Sequence, residues 1–130
     1  MESIFSKIVS GQIPAHKVAE TPEYLAFLDI NPLTEGHLLV IPKKEVDYLF
    51  DLDSETYLGL MMFAQIVAAG LKRAIPCERI GLTVIGLEVP HAHIHLIPIN
   101  TMDDMNFSRP KLKLAEERLT EIAEAIREQL

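Results

Sequence analysis

The sequence predicts a single α+β domain over residues 1–130, an antiparallel sheet with helices packed against it and a C-terminal loop and helix over 100–130. Three observations lead there. Apolar residues recur three to four apart in stretches at 3–9, 54–75 and 115–130, the period of a helix face. Five short runs, at 15–20, 24–29, 37–41, 79–85 and 89–98, have the composition and alternation of strands. The order is helix, three strands, helix, two strands, helix, which suits a sheet with its helices laid against it.

The first helix carries Ile4, Phe5, Ile8 and Val9 on one side and ends at Ser10-Gly11. After Pro14 the runs at 15–20 and 24–29 flank Thr21-Pro22-Glu23, a hairpin pattern, and Asp29-Ile30-Asn31-Pro32 then breaks the extended run as a turn. His37-Leu38-Leu39-Val40-Ile41 is almost unbroken apolar sequence closed by Pro42, which implies a central strand buried on both faces. Taken alone, His37 at the entrance of that strand has the position of a structural histidine.

Ser54 is placed to cap the long helix, Lys72 and Arg73 complement its C-terminal dipole, and Pro76 stops it. Leu58, Leu60, Met61, Met62, Phe63, Ile66, Val67 and Leu71 nearly encircle it, so it needs cover from the sheet and from a second subunit. In the final helix Ala115, Leu119, Ile122, Ile126 and Leu130 form one stripe among charged residues, the pattern of a helix docked on one side.

A net charge of −7 leaves no basic footprint for polymeric nucleic acid, so a nucleotide ligand would be small. The single cysteine, Cys77, excludes an internal disulfide and any Cys-x-x-Cys motif, which makes a reducing, cytoplasmic setting the expectation. The Met-Glu-Ser start has no basic and apolar signal pattern. The apolar run at 58–71 includes Gln65 and falls short of the roughly 20 residues that span a bilayer, so no membrane partner is expected.

The chemistry concentrates at Val89-Pro90-His91-Ala92-His93-Ile94-His95-Leu96-Ile97-Pro98, which holds three of the five histidines. On a strand, His91, His93 and His95 share one face, about 6.5 to 7 Å apart, while Ala92, Ile94 and Leu96 point to the other. Each imidazole needs partners for two nitrogens, so three alternating rings indicate a site more than a polar face. A His-x-His pair can grip one metal ion, but three rings in a row along a strand diverge too far to share it.

The segment His91-Ala92-His93-Ile94-His95-Leu96-Ile97 resembles the His-φ-His-φ-His-φ-φ signature of the histidine triad (HIT) family, φ being apolar. Three further blocks resemble family segments in the same order: residues 4–14, 25–32 and 36–44. Together the likeness covers roughly residues 3 to 99. It implies a five-stranded antiparallel HIT-like sheet, usually in a homodimer, and a nucleotide hydrolase or nucleotidyl transferase acting at an α-phosphate. By resemblance His93 would be the nucleophile that forms a nucleotidyl-histidine, its ring tautomer fixed by the carbonyl of His91. His95 would lie near the phosphate, and His91 near the leaving group and His37. Asp29 would bind the ribose hydroxyls, and Ile4, Phe5, Ile8, Phe27, Leu28, Ile30 and Leu39 match the base pocket. The chemistry suits these roles: imidazole is a good nucleophile near neutral pH and its phosphorus adduct is labile to water. Neighbouring protonated imidazoles would stabilise phosphoryl charge, with no cofactor and no metal required.

The chain also departs from the family. Several members bind a structural zinc through Cys-x-x-Cys and a later histidine, and here those positions are Ser3, Ser6 and Glu45, which argues against zinc. Before the triad many relatives have an Asn, a longer Gly-rich loop and polar phosphate contacts; this chain has Thr83-Val84-Ile85-Gly86-Leu87-Glu88. Thr83 falls nearest the Asn position and Glu88, with Val89 after it, nearest the second polar contact. Three readings follow: a hydrolase of purine nucleoside phosphoramidates or related adenylates, a nucleotide-binding regulator or scaffold with vestigial turnover, and a metal-dependent hydrolase.

Overall fold

Local chemistry sets the ends of each element in the computed structural model, which describes residues 2–130. Helix α1 (Ile4–Val9) starts where the Ser3 side chain accepts the backbone N–H of Ser6, and strands β1 (Lys17–Glu20) and β2 (Tyr24–Leu28) form a hairpin. Strand β3 (Leu38–Pro42) precedes the long helix α2 (Ser54–Ala74), followed by β4 (Arg79–Thr83), β5 (Ile94–Ile99) and helix α3 (Glu116–Glu128). Short 3₁₀ turns lie at Leu49–Asp51 and Met102–Met105. The strands make one antiparallel sheet in the order β1-β2-β3-β5-β4, the α+β architecture expected.

Strand β3 sits in the middle and is buried on both faces, because successive side chains enter different cores. Leu38 and Val40 join Leu60, Val67, Leu71, Ile94, Leu96, Ile122 and Ile126 beneath α2 and α3. Leu39 and Ile41 join Phe5, Ile8, Leu25 and Phe27 beneath α1. Each fully buried Leu or Ile in these layers contributes roughly 1.5–3 kcal/mol. The functional face is the α1 side, where a six-residue helix covers only part of the sheet and leaves a cleft.

Several boundaries differ from the sequence expectation, four of them with a bearing on the fold or the site. Regular pairing in the histidine segment begins only at Ile94, because Pro90 has no N–H to give and the next amides turn elsewhere: His91 N–H donates to the Val89 carbonyl at 2.8 Å and Ala92 N–H to the Val46 carbonyl at 2.7 Å. Alternation survives all the same, since Ala92, Ile94 and Leu96 all enter the α2 core. The cap of α2 is Asp53, whose carboxylate accepts Thr56 N–H at 3.1 Å, and Ser54 is the first helical residue. Strand β1 begins at Lys17, leaving Ala15 to line the cleft, and β4 ends at Thr83.

Helix α2 buries Leu60, Phe63, Ala64, Val67 and Leu71 but turns Leu58, Met62 and Ile66 outward. Its apolar surface thus divides into a docked side and an open one. Among the described residues no helix is long and apolar enough to cross a membrane.

Candidate active site

The cleft has a volume of about 470 Å³ and is walled by α1, the β2 and β3 strands, the loop after β4 and the triad segment. Ile4, Phe5, Ile8, Phe27, Leu28, Ile30, Leu39 and Val89 all line it; Phe5, Ile8, Phe27 and Leu39 form a buried apolar floor, Ile4 and Ile30 lie exposed at the rim, and the Leu28 side chain packs into the core beneath α2 and α3. The edge of Phe5 meets the His93 ring at a centroid distance of 5.0 Å. Such a slot suits a flat apolar or aromatic group.

Strand β2 ends by delivering Asp29 to the mouth. One of its oxygens accepts Asn31 N–H at 2.8 Å, and its backbone N–H donates to the His37 carbonyl at 3.0 Å. Desolvation by burial raises its carboxyl above the ordinary carboxylate range, and the Asn31 N–H opposes that rise. The tight turn before β3 needs Gly36, whose φ of +93° an L side chain rarely adopts, and it sets His37 at the base of the cleft.

Hydrogen bonds determine which nitrogen of each imidazole carries the proton. His37 Nδ1 accepts the Leu33 backbone N–H at 3.0 Å, so its proton sits on Nε2 and is donated to His95 Nδ1 at 2.9 Å. His95 therefore carries its own proton on Nε2, the remaining ring nitrogen. His93 Nδ1 can only donate to the His91 carbonyl, 2.7 Å away, so in the neutral ring the free lone pair is on Nε2. The cleft thus presents a free imidazole lone pair beside an imidazole N–H, in rings 5.0 Å apart. That pairing equips it to attack an electrophilic phosphorus while donating to an oxygen on the same centre.

Two expected roles are corrected. His91 does not line the cleft: it is fully buried, its Nε2–H donates to the Pro42 carbonyl at 2.7 Å and its Nδ1 accepts the Ser3 hydroxyl at 2.8 Å. It does not pair with His37, which pairs with His95. Nor are the buried imidazoles cations near neutral pH. Burial pushes His37 down to about 3 and His95 down to about 4, and burial also lowers His91. The positive charge expected from neighbouring imidazoles has to come from elsewhere.

Thr83 stands opposite His95 in the β4–β5 ladder but outside the cleft, because the wall there is made by the loop after the strand. Ile85, Gly86, Leu87 and Glu88 form that wall, so Glu88 does reach the cleft, from an exposed position. Residues not singled out from sequence are Ile13, Pro14, Ala15, Asn31, Phe107 and Lys111. The first four lie within or beside the blocks that resemble the family. Phe107 and Lys111 lie in a polar loop without periodicity, and only its fold back onto the cleft brings them in: Leu112 N–H donates to the Pro32 carbonyl at 2.9 Å.

Two clusters bear on metals. Ligating atoms of Asp29, His37 and His95 lie within 4.8 Å of one another, but the proton assigned to His37 Nε2 points into that space, so a cation would have to break the Leu33–His37–His95 chain. Ser3, Ser6 and Glu45, the positions where the resemblance implies zinc ligands in other members, lie around His91. Glu45 accepts both Ser3 N–H and the Ser6 hydroxyl at 2.6 Å. These contacts hold the Glu45 carboxyl down at about 2. Serine hydroxyls are poor zinc ligands, and here they are already committed to Glu45 and His91, so the residues do not fit that ion.

Residues 10–102 match the model of the HIT domain. This chain belongs to the HIT family. It is 33% identical over 132 residues to the adenosine 5'-monophosphoramidase hnt1 of Schizosaccharomyces pombe, covering 97% of this chain and 96% of that protein. Among solved structures it is similar to a Hit-like protein involved in cell-cycle regulation from Bartonella henselae, with a TM-score of 0.86 and 32% identity over 99% of this chain and 97% of that one. It is also similar to a zinc-bound histidine triad family protein from Mycobacterium smegmatis, with a TM-score of 0.81 and 28% identity over 99% and 93% of the two chains. Within the HIT family this chain keeps all three triad histidines and has Ser3, Ser6 and Glu45 at the expected zinc positions.

Proposed function

We propose that this protein hydrolyses purine nucleoside phosphoramidates or related adenylates at the α-phosphate. The observation that carries the reading is the tautomer order of the triad: a free Nε2 on His93 beside a protonated Nε2 on His95. The base enters the slot between Phe5, Ile8, Phe27 and Leu39, and the ribose hydroxyls meet Asp29. His93 Nε2 attacks the α-phosphorus while His95 Nε2–H donates to a phosphoryl oxygen. The leaving group departs with the electron pair of its bond to phosphorus and takes up a proton from solvent. Water then attacks the nucleotidyl-histidine: its oxygen bonds to phosphorus and it releases a proton to solvent, while the phosphorus–nitrogen bond breaks with its electron pair returning to Nε2, so that His93 is again neutral. The likeness to a named adenosine 5'-monophosphoramidase supports this substrate class. The reading includes a homodimer working in the cytoplasm, without a metal.

A panel of adenosine 5'-phosphoramidates, adenylylated lysine, dinucleoside polyphosphates and nucleotide sugars, assayed for AMP release with and without EDTA, tests it. Phosphoramidates are expected to be the fastest substrates, with rates unchanged by EDTA. His93→Ala is expected to lose several powers of ten in turnover while still binding AMP, because it removes the attacking atom and not the slot. A variant within tenfold of the parent would sink the nucleophile assignment.

A second reading is a nucleotide-binding regulator with vestigial turnover. It is favoured by the wall at Ile85, Gly86 and Leu87, which offers the phosphate no polar side chain before Glu88. Tight AMP binding with negligible release from every member of the panel would select it.

A further inference from the structure

A phosphate entering this cleft meets an electrostatic problem. His37 and His95 each use a ring nitrogen as a hydrogen-bond acceptor, so neither ring is a cation in this arrangement. The two acidic side chains that line the cleft, Asp29 and Glu88, repel an anion. One lysine lines it, and no arginine does: Lys111, from the loop between the Met102–Met105 turn and α3.

Lys111 is held in place and not left waving in solvent. Its half-buried ammonium donates to the carbonyls of Phe107 at 2.6 Å and Arg109 at 3.4 Å, and lies 5.9 Å from the centroid of the Phe107 ring. Phe107 in turn packs edge-on against His95, at a centroid distance of 5.0 Å, and against His37. The backbone of the loop is tied down by Arg109, whose guanidinium meets Asp103, Asp104 and the Leu33 carbonyl. An ammonium has three donors and two are engaged, so one N–H remains for a ligand. The field of Lys111 already acts on both Asp29 and His37.

From this geometry we infer that Lys111 is a specificity-determining residue, the fixed cation of the cleft that recognises the negative charge of the bound nucleotide. This rests on the nucleotide reading above. Lys111 lies in the C-terminal loop, beyond residues 10–102 that match the HIT domain. A preorganised charge in a partly desolvated cleft discriminates an anionic ligand from a neutral one of the same shape.

The test compares the binding of AMP with that of adenosine, by calorimetry, to the parent chain and to Lys111→Met and Lys111→Arg. The parent is expected to bind AMP at least tenfold more tightly than adenosine. Lys111→Met should reduce that preference to threefold or less with adenosine affinity unchanged, and Lys111→Arg should keep most of it. The dependence of AMP affinity on salt should flatten in Lys111→Met alone. An unchanged preference in Lys111→Met overturns the inference, and so does an equal loss of AMP and adenosine binding, which marks a merely structural residue. Failure of the parent to bind AMP overturns the nucleotide reading, and this inference with it.

Discussion

The Nε2 of His37 lies 2.9 Å from the Nδ1 of His95, and the backbone of Leu33 determines which way that hydrogen bond runs. A backbone amide cannot change its protonation, so it forces His37 to accept at Nδ1 and donate at Nε2, which turns a donor on His95 toward the cleft. Replacing His37 with Phe frees His95 to take the other tautomer. The expected loss in kcat/KM for a nucleoside phosphoramidate is about 10²-fold, the scale of removing one donor from a developing oxyanion. His37→Gln keeps an N–H donor and should lose much less. Equal losses in the two variants would show that His37 acts by packing alone.

On the far side of the triad, Ser3 performs two tasks, capping α1 and donating to the buried Nδ1 of His91. Ser3→Ala removes a helix cap, worth about 1 kcal/mol, and strands a buried acceptor, which costs about 1–3 kcal/mol. A combined destabilisation of about 2 to 4 kcal/mol is expected from urea unfolding. AMP release should fall only a few-fold, because His91 still holds the Pro42 carbonyl and its own carbonyl still orients His93. A loss of activity as large as that of His93→Ala would assign Ser3 a direct part in the chemistry.

Stability should be nearly level at pH 7 to 8 and fall as the pH drops below about 6.5. His37 and His95 titrate near 6.5 when unfolded but are pushed to about 3 and about 4 by burial in the native state, and His91 is also lowered. The unfolded chain therefore binds protons that the folded chain refuses, and each such group removes up to about 1.4 kcal/mol per pH unit over that window. Depressed carboxylates such as Glu45 contribute only below about 4.5. Urea unfolding between pH 8 and pH 5 checks the slope, which His37→Gln should reduce. A flat profile would mean that these imidazoles accept protons in the folded protein.

The outward row of Leu58, Met62 and Ile66 on α2, more than half exposed at each residue, lies beside the exposed Leu82 of the edge strand β4. A contiguous apolar face of this kind in a single chain calls for cover by a second copy. Sedimentation at micromolar concentration is expected to give twice 14.6 kDa. Met62→Glu should dissociate the pair while leaving the helix intact. A parent that sediments as a monomer would refute the dimer.

Much of this molecule was legible in one dimension because its signals are local. The unbroken apolar run of β3 required burial on both faces, and Leu39 and Leu38 do enter opposite cores. The alternation through His91, Ala92, His93, Ile94 and His95 separated a chemical side from a core side even where the backbone leaves the ladder. Residue type and spacing carry that much, because they dictate which way side chains point. What they do not carry is partnership across the fold. His91 went to the zinc-position serines and not to the cleft, and His37 went to His95 and not to His91, because these ring partners are atoms 49 to 88 residues away that meet only after packing. Lys111 had no sequence signal, since its importance comes from a loop folding back over two neutral imidazoles. Sequence determined the faces and the reactive groups and, by resemblance, the tautomer of His93; tertiary structure alone decided the charge of His37 and His95 and the tautomer of His95, because these depend on burial and on a hydrogen bond between segments 58 residues apart.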